Sequence, residues 1–464
     1  MKTLKLFTAL IFFTFAAGAQ DKLPVIKSNA DVVSIQNGAE LRKNTWRLAP
    51  EAKPDVYEAE LIGGKRTKIS FITDVDSISF EVEEGKKYDF IIQKGDDLCY
   101  TQIVGVKFIP AANFNAEYRK THRGKTFVEV PEVYELVNIA IALTPTAIAD
   151  KNLVIQDSDY YKRMREWFDD YRDYKVIRDF EELLKKDQSV YFDLKMNGYA
   201  FEFGKNNKII KSEVYDRTGF SGQKSNALAP LVPQLEVFAI SSDFRKFYKK
   251  NKKTYADQIA FYRDTANIAE MKKWLDKNFP SSNDYDTYKI IFSPLVGYNQ
   301  STTWFESNGF KELQPHVNFP YRKDKTLSKE AQILADGAIV FTEINHGYIN
   351  PEADKYAERI AKAVGNRNHW VDAGKGENYY PNIAAFNEYM NWGLVSLRYS
   401  DYAPENEREK LIGNIDEMMT KRRGFPQFAA FDKFLVELYR NRQPNQTLAD
   451  LYPQIIEWFE KNNG

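Results

Sequence analysis

Residues 328–351 read SKEAQILADGAIVFTEINHGYINP, and their reading decides the fold of the larger part of the chain. Ser328 is placed to cap a helix, and Glu330 favours its positive end. Ile339, Val340 and Phe341 form an apolar run into Thr342-Glu343-Ile344-Asn345-His346. Gly347 and the pair Asn350-Pro351 are stop signals. The expected helix therefore covers 328–346.

This helix carries a chemical pattern. Zinc hydrolases use HExxH on a helix, where two His at i and i+4 share a face and both reach the metal. The Glu between them polarises the metal-bound water. Here the five residues are TEINH. Glu343 stands at the base position and His346 at the second ligand position. Thr342 stands at the first ligand position, and a neutral threonine is a poor zinc ligand. One large class of such enzymes takes a third ligand from a Glu on a downstream helix. The stretch PNIAAFNEYMNWGLVSLRY at 381–399 offers Glu388. A lone acid in an apolar, aromatic helix needs a partner, because burying a charge unpaired is costly.

The order of several segments resembles a family of exported bacterial proteins read as zincin-like, gluzincin-type metallopeptidases, whose core motif is similar to HEFxHxxxNP. The similarity runs through VYELVNIAIAL at 133–143, SDYYKRMREWF at 158–168 and LAPLVPQLEVFAISSDFRKFY at 228–248. It continues through IIFSPLVGYNQ at 290–300, TEINHGYINP at 342–351 and FNEYMNWGLVSLRY at 386–399. It implies a zincin-like domain over 130–464. It also implies Glu343 as general base, zinc as cofactor, His346 and Glu388 as metal ligands, and metal-assisted peptide hydrolysis. Thr342 departs from the family pattern, which has His there, and puts zinc binding in question.

Two other readings of the same residues stay open. Glu343 and His346 form E-x-x-H, an i,i+3 pair that holds iron or manganese in helical bundles, although Glu388 is the one further carboxylate in view. Alternatively the domain keeps its cleft without a metal and serves as a non-catalytic binding or scaffold module, a pseudo-peptidase. His316 and His369 are the candidates for a replacement ligand. An extended peptide or a protein is the expected partner. The strand Tyr288–Pro294 is the expected sheet edge on which a peptide would align.

Composition narrows the choice. The 464 residues carry 65 Lys+Arg and 65 Asp+Glu, so the basic excess of a nucleic-acid binder is missing. One cysteine, Cys99, excludes an internal disulfide and Cys-rich metal sites. The chain has no GxSxG elbow, no P-loop and no GxGxxG. Residues 1–19, MKTLKLFTALIFFTFAAGA, read as a signal peptide with cleavage before Gln20. Its apolar run is too short to span a bilayer, and no later stretch is long enough. An exported protein, periplasmic or secreted, is expected.

The fold class that follows is α+β. A β-rich module over 20–115, an antiparallel sandwich or barrel, precedes a mainly helical domain with a small sheet. Its strands are expected at Val32–Ile35, Lys68–Thr73, Ser77–Val82, Tyr88–Ile92 and Leu98–Ile103, with a turn at Asn37-Gly38. Cys99 is expected in its core. Further on, helices are expected at 131–143, 158–170, 176–187 and 230–279, the last broken near Lys249–Thr254. The stretch 190–203 reads as strand, and 295–325 as loop. More helices are expected near 352–364, 381–399, 405–422, 426–441 and 447–461. Lys421-Arg422-Arg423 reads as a solvated helix end.

Overall fold

The computed structural model describes residues 23–463, apart from 221–222, 284, 322, 373 and 375–381. The leader expected over 1–19 and its cleavage site lie outside the described residues. The chain divides into two compact units, Met1–Ile109 and Pro110–Gly464.

Unit 1 is built from eight strands: β1 (Val25–Lys27), β2 (Val32–Asn37), β3 (Glu40–Arg47), β4 (Asp55–Leu61), β5 (Thr67–Ile72), β6 (Ser77–Val82), β7 (Lys87–Lys94) and β8 (Asp97–Lys107). They form two open four-stranded sheets, ordered β1-β7-β8-β4 and β3-β2-β5-β6. Alternating residues of both sheets fill one core: Phe90, Ile92 and Ile103 from the first, Val33, Ile35, Ile69 and Phe71 from the second. Edge-on aromatic contacts at Tyr57–Phe71 and Phe71–Phe90 tie the sheets together. The sandwich is mostly antiparallel, but β1 runs parallel to β7 and β4 parallel to β8. Cys99 is buried in this core.

Unit 2 holds a four-stranded sheet among helices. Its strands are β9 (Thr126–Glu129), β12 (Thr287–Phe292), β13 (Ser301–Ser307) and β14 (Phe310–Val317); a short separate ribbon pairs β10 (Phe201–Phe203) with β11 (Ile209–Lys211). The sheet order is β13-β14-β12-β9. Two corrections follow. Every residue of β12 is buried, and both its neighbours run parallel to it. The 288–294 strand is therefore interior and offers no edge. The 295–325 stretch is not all loop, since it contains the β13–β14 hairpin. Asn308-Gly309 makes its two-residue turn, both residues at positive φ (54° and 68°). Pro315 sits inside β14, where the register with β12 is interrupted.

The helices around the sheet follow the sequence pattern with instructive exceptions. The stretch read as strand at 190–203 is helical over Val190–Asn197 and pairs as strand only from Phe201. Tyr191, Leu194, Lys195, Met196 and Asn197 are all buried, so the helix has little polar face to betray its period. The 328–346 helix is two helices, α1 (Lys329–Asp336) and α2 (Ala338–Asp354), separated at Gly337. Ser328 caps α1 by accepting from the Ala331 amide. The stop signals do not stop α2, which runs through Gly347 and Pro351. Gly347 serves packing instead: a Cβ there would lie 3.1 Å from Leu313 Cδ2 and 3.3 Å from the Tyr288 hydroxyl. The absent side chain lets α2 lie close on β12 and β14. Downstream come α3 (Asn382–Tyr402), α4 (Glu405–Glu417) and α5 (Phe428–Arg440).

One buried acid supplies a test of the packing. Glu135, on the helix Glu132–Ala142, is fully buried. It accepts a 2.6 Å bond from the Tyr160 hydroxyl, and its second oxygen has no partner. Burial pushes its pKa up to about 8. A carboxyl held neutral in the fold contributes its full stability below the unfolded-state value and loses it as pH rises through about 8. The urea midpoint of the wild type is expected to fall across that range. The Glu135→Gln variant is expected to flatten the decline; an unchanged pH slope would refute the assignment.

Candidate functional site

The candidate residues lie where α2 packs on α3. The Asn345 side chain on α2 donates to the Asn391 carbonyl on α3 at 3.1 Å, which fixes the pairing of the two helices. His346 is one residue further along α2, and Glu388 lies three residues before Asn391 on α3. Asn391 joins them: its Nδ2 lies 3.1 Å from His346 Nε2 and 3.4 Å from Glu388 Oε2. Because the carboxylate needs a donor, the Asn391 amide nitrogen faces both groups. His346 Nε2 then accepts, and Nδ1–H donates to Asn350 Oδ1 at 3.3 Å.

Glu388 is 7% exposed. Its Oε1 accepts from Trp392 Nε1 at 3.1 Å and from the Arg423 guanidinium. Arg423 also lies over the Trp392 ring, 5.3 Å from its centroid. It reaches this position because α4 continues into a π-helical turn, Met418–Arg423, that ends on left-handed Gly424. Arg423 is thus not the solvated helix end that its sequence context suggests. It neutralises the one acid of the α3 interior that faces α2.

Glu343 is buried from the other side. Its Oε2 accepts from the Thr302 hydroxyl of β13 at 2.6 Å. Burial raises its pKa, the nearby His346 and the Thr302 bond work against that, and Glu388 adds to it. Glu343, His346 and Glu388 are therefore electrostatic neighbours. Lys195 feels the Glu343 charge; it donates to the Asn299 carbonyl and sits 4.8 Å from the Tyr191 ring centroid. Burial pulls its pKa down to about 7, and Glu343 only partly offsets this. Burial, with the Lys195 charge adding to it, holds His316 well below the usual histidine range.

Thr342 does not join the site: its hydroxyl turns back to the Ile339 carbonyl at 2.7 Å. His316 is buried with Nδ1 3.4 Å from the Tyr134 hydroxyl, and His369 packs edge-on against Trp370 at 4.9 Å. A zinc ion with an open position takes about three protein ligands. Here Thr342 is committed to the helix backbone, Glu388 to a guanidinium, and His346 to an amide. The donor set does not fit a zinc ion, since Arg423 places a positive charge against the acid that would hold it. Among the described residues no group of three His, Cys, Asp or Glu side chains is arranged to hold a metal. Among the described residues the E-x-x-H pair likewise lacks the further carboxylates that iron or manganese would need.

Compared with family models, curated proteins and solved structures, the chain matches none of them. The zincin-like resemblance accordingly rests on the residues quoted above.

Four contributors were not singled out from sequence: Thr302, Lys195, Asn391 and Arg423. The signal for Thr302 was present, because Asn308-Gly309 between STTWFES and FKELQPHV marks a hairpin. Removing Arg423 tests the electrostatics. Stripping one partner from a buried pair costs roughly 3–5 kcal/mol. The Arg423 side chain is 32% exposed, so Arg423→Met is expected to destabilise by less, about 2 kcal/mol. Adding Glu388→Gln is expected to restore most of the loss, as measured by urea unfolding of both variants.

Proposed function

We propose that unit 2 is a metal-free, pseudo-peptidase-type module of an exported protein that binds an extended peptide without hydrolysing it. The observation that carries this reading is the outer edge of β13. In a two-residue hairpin the residues flanking the turn form a hydrogen-bonded pair, here Ser307 and Phe310. By alternation Phe305, Thr303 and Ser301 also bond to β14. The backbone N–H and C=O groups of Thr302, Trp304 and Glu306 then point outward. Among the described residues no other backbone group engages them. An unpaired strand edge is a template for an added strand. Thr302 anchors this edge to Glu343, so an added peptide would pass beside Glu343. Trp304, 47% exposed and two residues from Thr302 on the same face, offers it an aromatic surface.

A second reading, a zinc peptidase, draws on the convergence of Glu343, His346 and Glu388 on one helix pair. The two are separated by metal. Equilibrium dialysis of the purified chain against micromolar zinc is expected to leave no stoichiometric metal. The double variant Thr342→His with Arg423→Met is expected to gain it. Stoichiometric zinc on the wild type would favour the peptidase.

Peptide binding has its own test. Random peptides displayed against the wild type are expected to yield binders. Trp304→Pro removes one outward N–H and leaves the β13–β14 ladder intact. It is expected to weaken those binders about tenfold, the worth of one or two backbone hydrogen bonds. Trp304→Ala separates the loss of the ring from the loss of the donor. Failure to enrich any peptide, or binders indifferent to Trp304→Pro, would overturn the edge-strand assignment.

A further inference from the structure

A second polar cluster lies where α3, α4 and α5 meet. Asp432 on α5 is fully buried, and neither of its carboxylate oxygens accepts a well-aligned hydrogen bond from a protein N–H or O–H. Asp416 on α4 approaches it, with Oδ1 also buried and unpartnered. From α3 the Ser396 hydroxyl is buried at 0% exposure, faces Asp432, and has no hydrogen bond that meets ordinary geometry. One turn further along α3, the Ser400 hydroxyl is likewise buried and unpartnered. No Lys, Arg or His among the described residues pairs with either acid. Gly393 borders the same space: a Cβ there would lie 3.8 Å from Asp432 Oδ1 and 2.6 Å from Leu435 Cδ2. The glycine lets α3 and α5 close on one another next to the carboxylate.

Buried polar atoms are satisfied in nearly all folded proteins, so several unsatisfied oxygens at one junction mark something that belongs between them. The donors are all oxygen, with no nitrogen or sulfur, which selects a hard cation. Two carboxylates bring a charge that a divalent ion cancels. Their irregular arrangement suits calcium, which accepts variable geometry, better than magnesium, which demands a near-ideal octahedron. We propose that Asp416, Asp432 and Ser396 form a calcium site that ties α3 to α4 and α5. Asp416 is only half-buried in its surroundings, which gives the ion and its remaining waters a way in. The site is independent of the peptide-binding edge, which contains none of these residues.

The test uses the full chain after treatment with a chelator. Equilibrium dialysis is expected to show one calcium per chain. The thermal midpoint is expected to rise as calcium climbs through about 0.1–1 mM, the working range of extracellular calcium modules. Asp432→Asn and Ser396→Ala are expected to abolish or weaken the binding. Ser396→Ala removes no charge and keeps the comparison meaningful if Asp432→Asn fails to fold. Magnesium is expected to replace calcium poorly. No bound calcium and equal midpoints in calcium and chelator would overturn the proposal and leave a proton-sharing acid pair. Unaltered binding by folded Asp432→Asn would overturn it as well, by placing the ion elsewhere.

Discussion

A negative charge held between two packed helices is the constraint around which the candidate site is arranged. Glu388 projects from α3 toward α2, away from bulk water, and the low-polarity interface makes any uncompensated charge there expensive. Three donors answer it: the Trp392 ring N–H, the Asn391 amide and the Arg423 guanidinium. Each comes with a structural demand. Trp392 and Asn391 require α3 to stay helical past Glu388. Arg423 requires α4 to unwind into a π turn and then reverse at Gly424. The orientation of His346 follows in turn, because Asn391 serves both groups at once.

The sheet contributes the other wall. Gly347 brings α2 down onto β12 and β14, and that short distance is what lets Thr302 on β13 reach Glu343. Had α2 ended at Gly347, its last turn would not have carried Asn350, which holds the His346 ring from below. The same glycine that looks like a terminator thus permits the contact that orients the histidine. Pro351 is accommodated four residues on, where the carbonyl it leaves without a donor belongs to Gly347, a residue with no side chain to crowd the ring.

How much of this was legible depended on whether the signal was local. The strands of unit 1 with strong alternation, such as KISFIT and YDFII, are found where the pattern puts them. β3, ELRKNTWR, was missed because it is exposed along almost its whole length and carries no alternation. The Val190–Asn197 helix was missed for the opposite reason, being buried on nearly every side. Glu343, His346 and Glu388 could be picked out because helical spacing and an isolated acid are local facts. Arg423, Thr302 and Lys195 could not, since they reach the site from elements far away in the chain. Nothing in Lys421-Arg422-Arg423 distinguishes the arginine that turns inward from its two neighbours. Only the π turn decides it.

The Arg423–Glu388 pair also bears on how such a site can change by single substitutions. A histidine placed at 342 alone would meet a guanidinium already seated on the acid, so it would gain little. Loss of Arg423 alone would strand Glu388 without its counter-charge and weaken the fold before any new ligand appeared. Either first step is neutral or harmful by itself, and only the two together open a different chemistry. The ion pair therefore acts as a ratchet: once a chain has acquired it, stepwise drift toward a metal-binding arrangement at these positions is obstructed by the low stability of the intermediate forms.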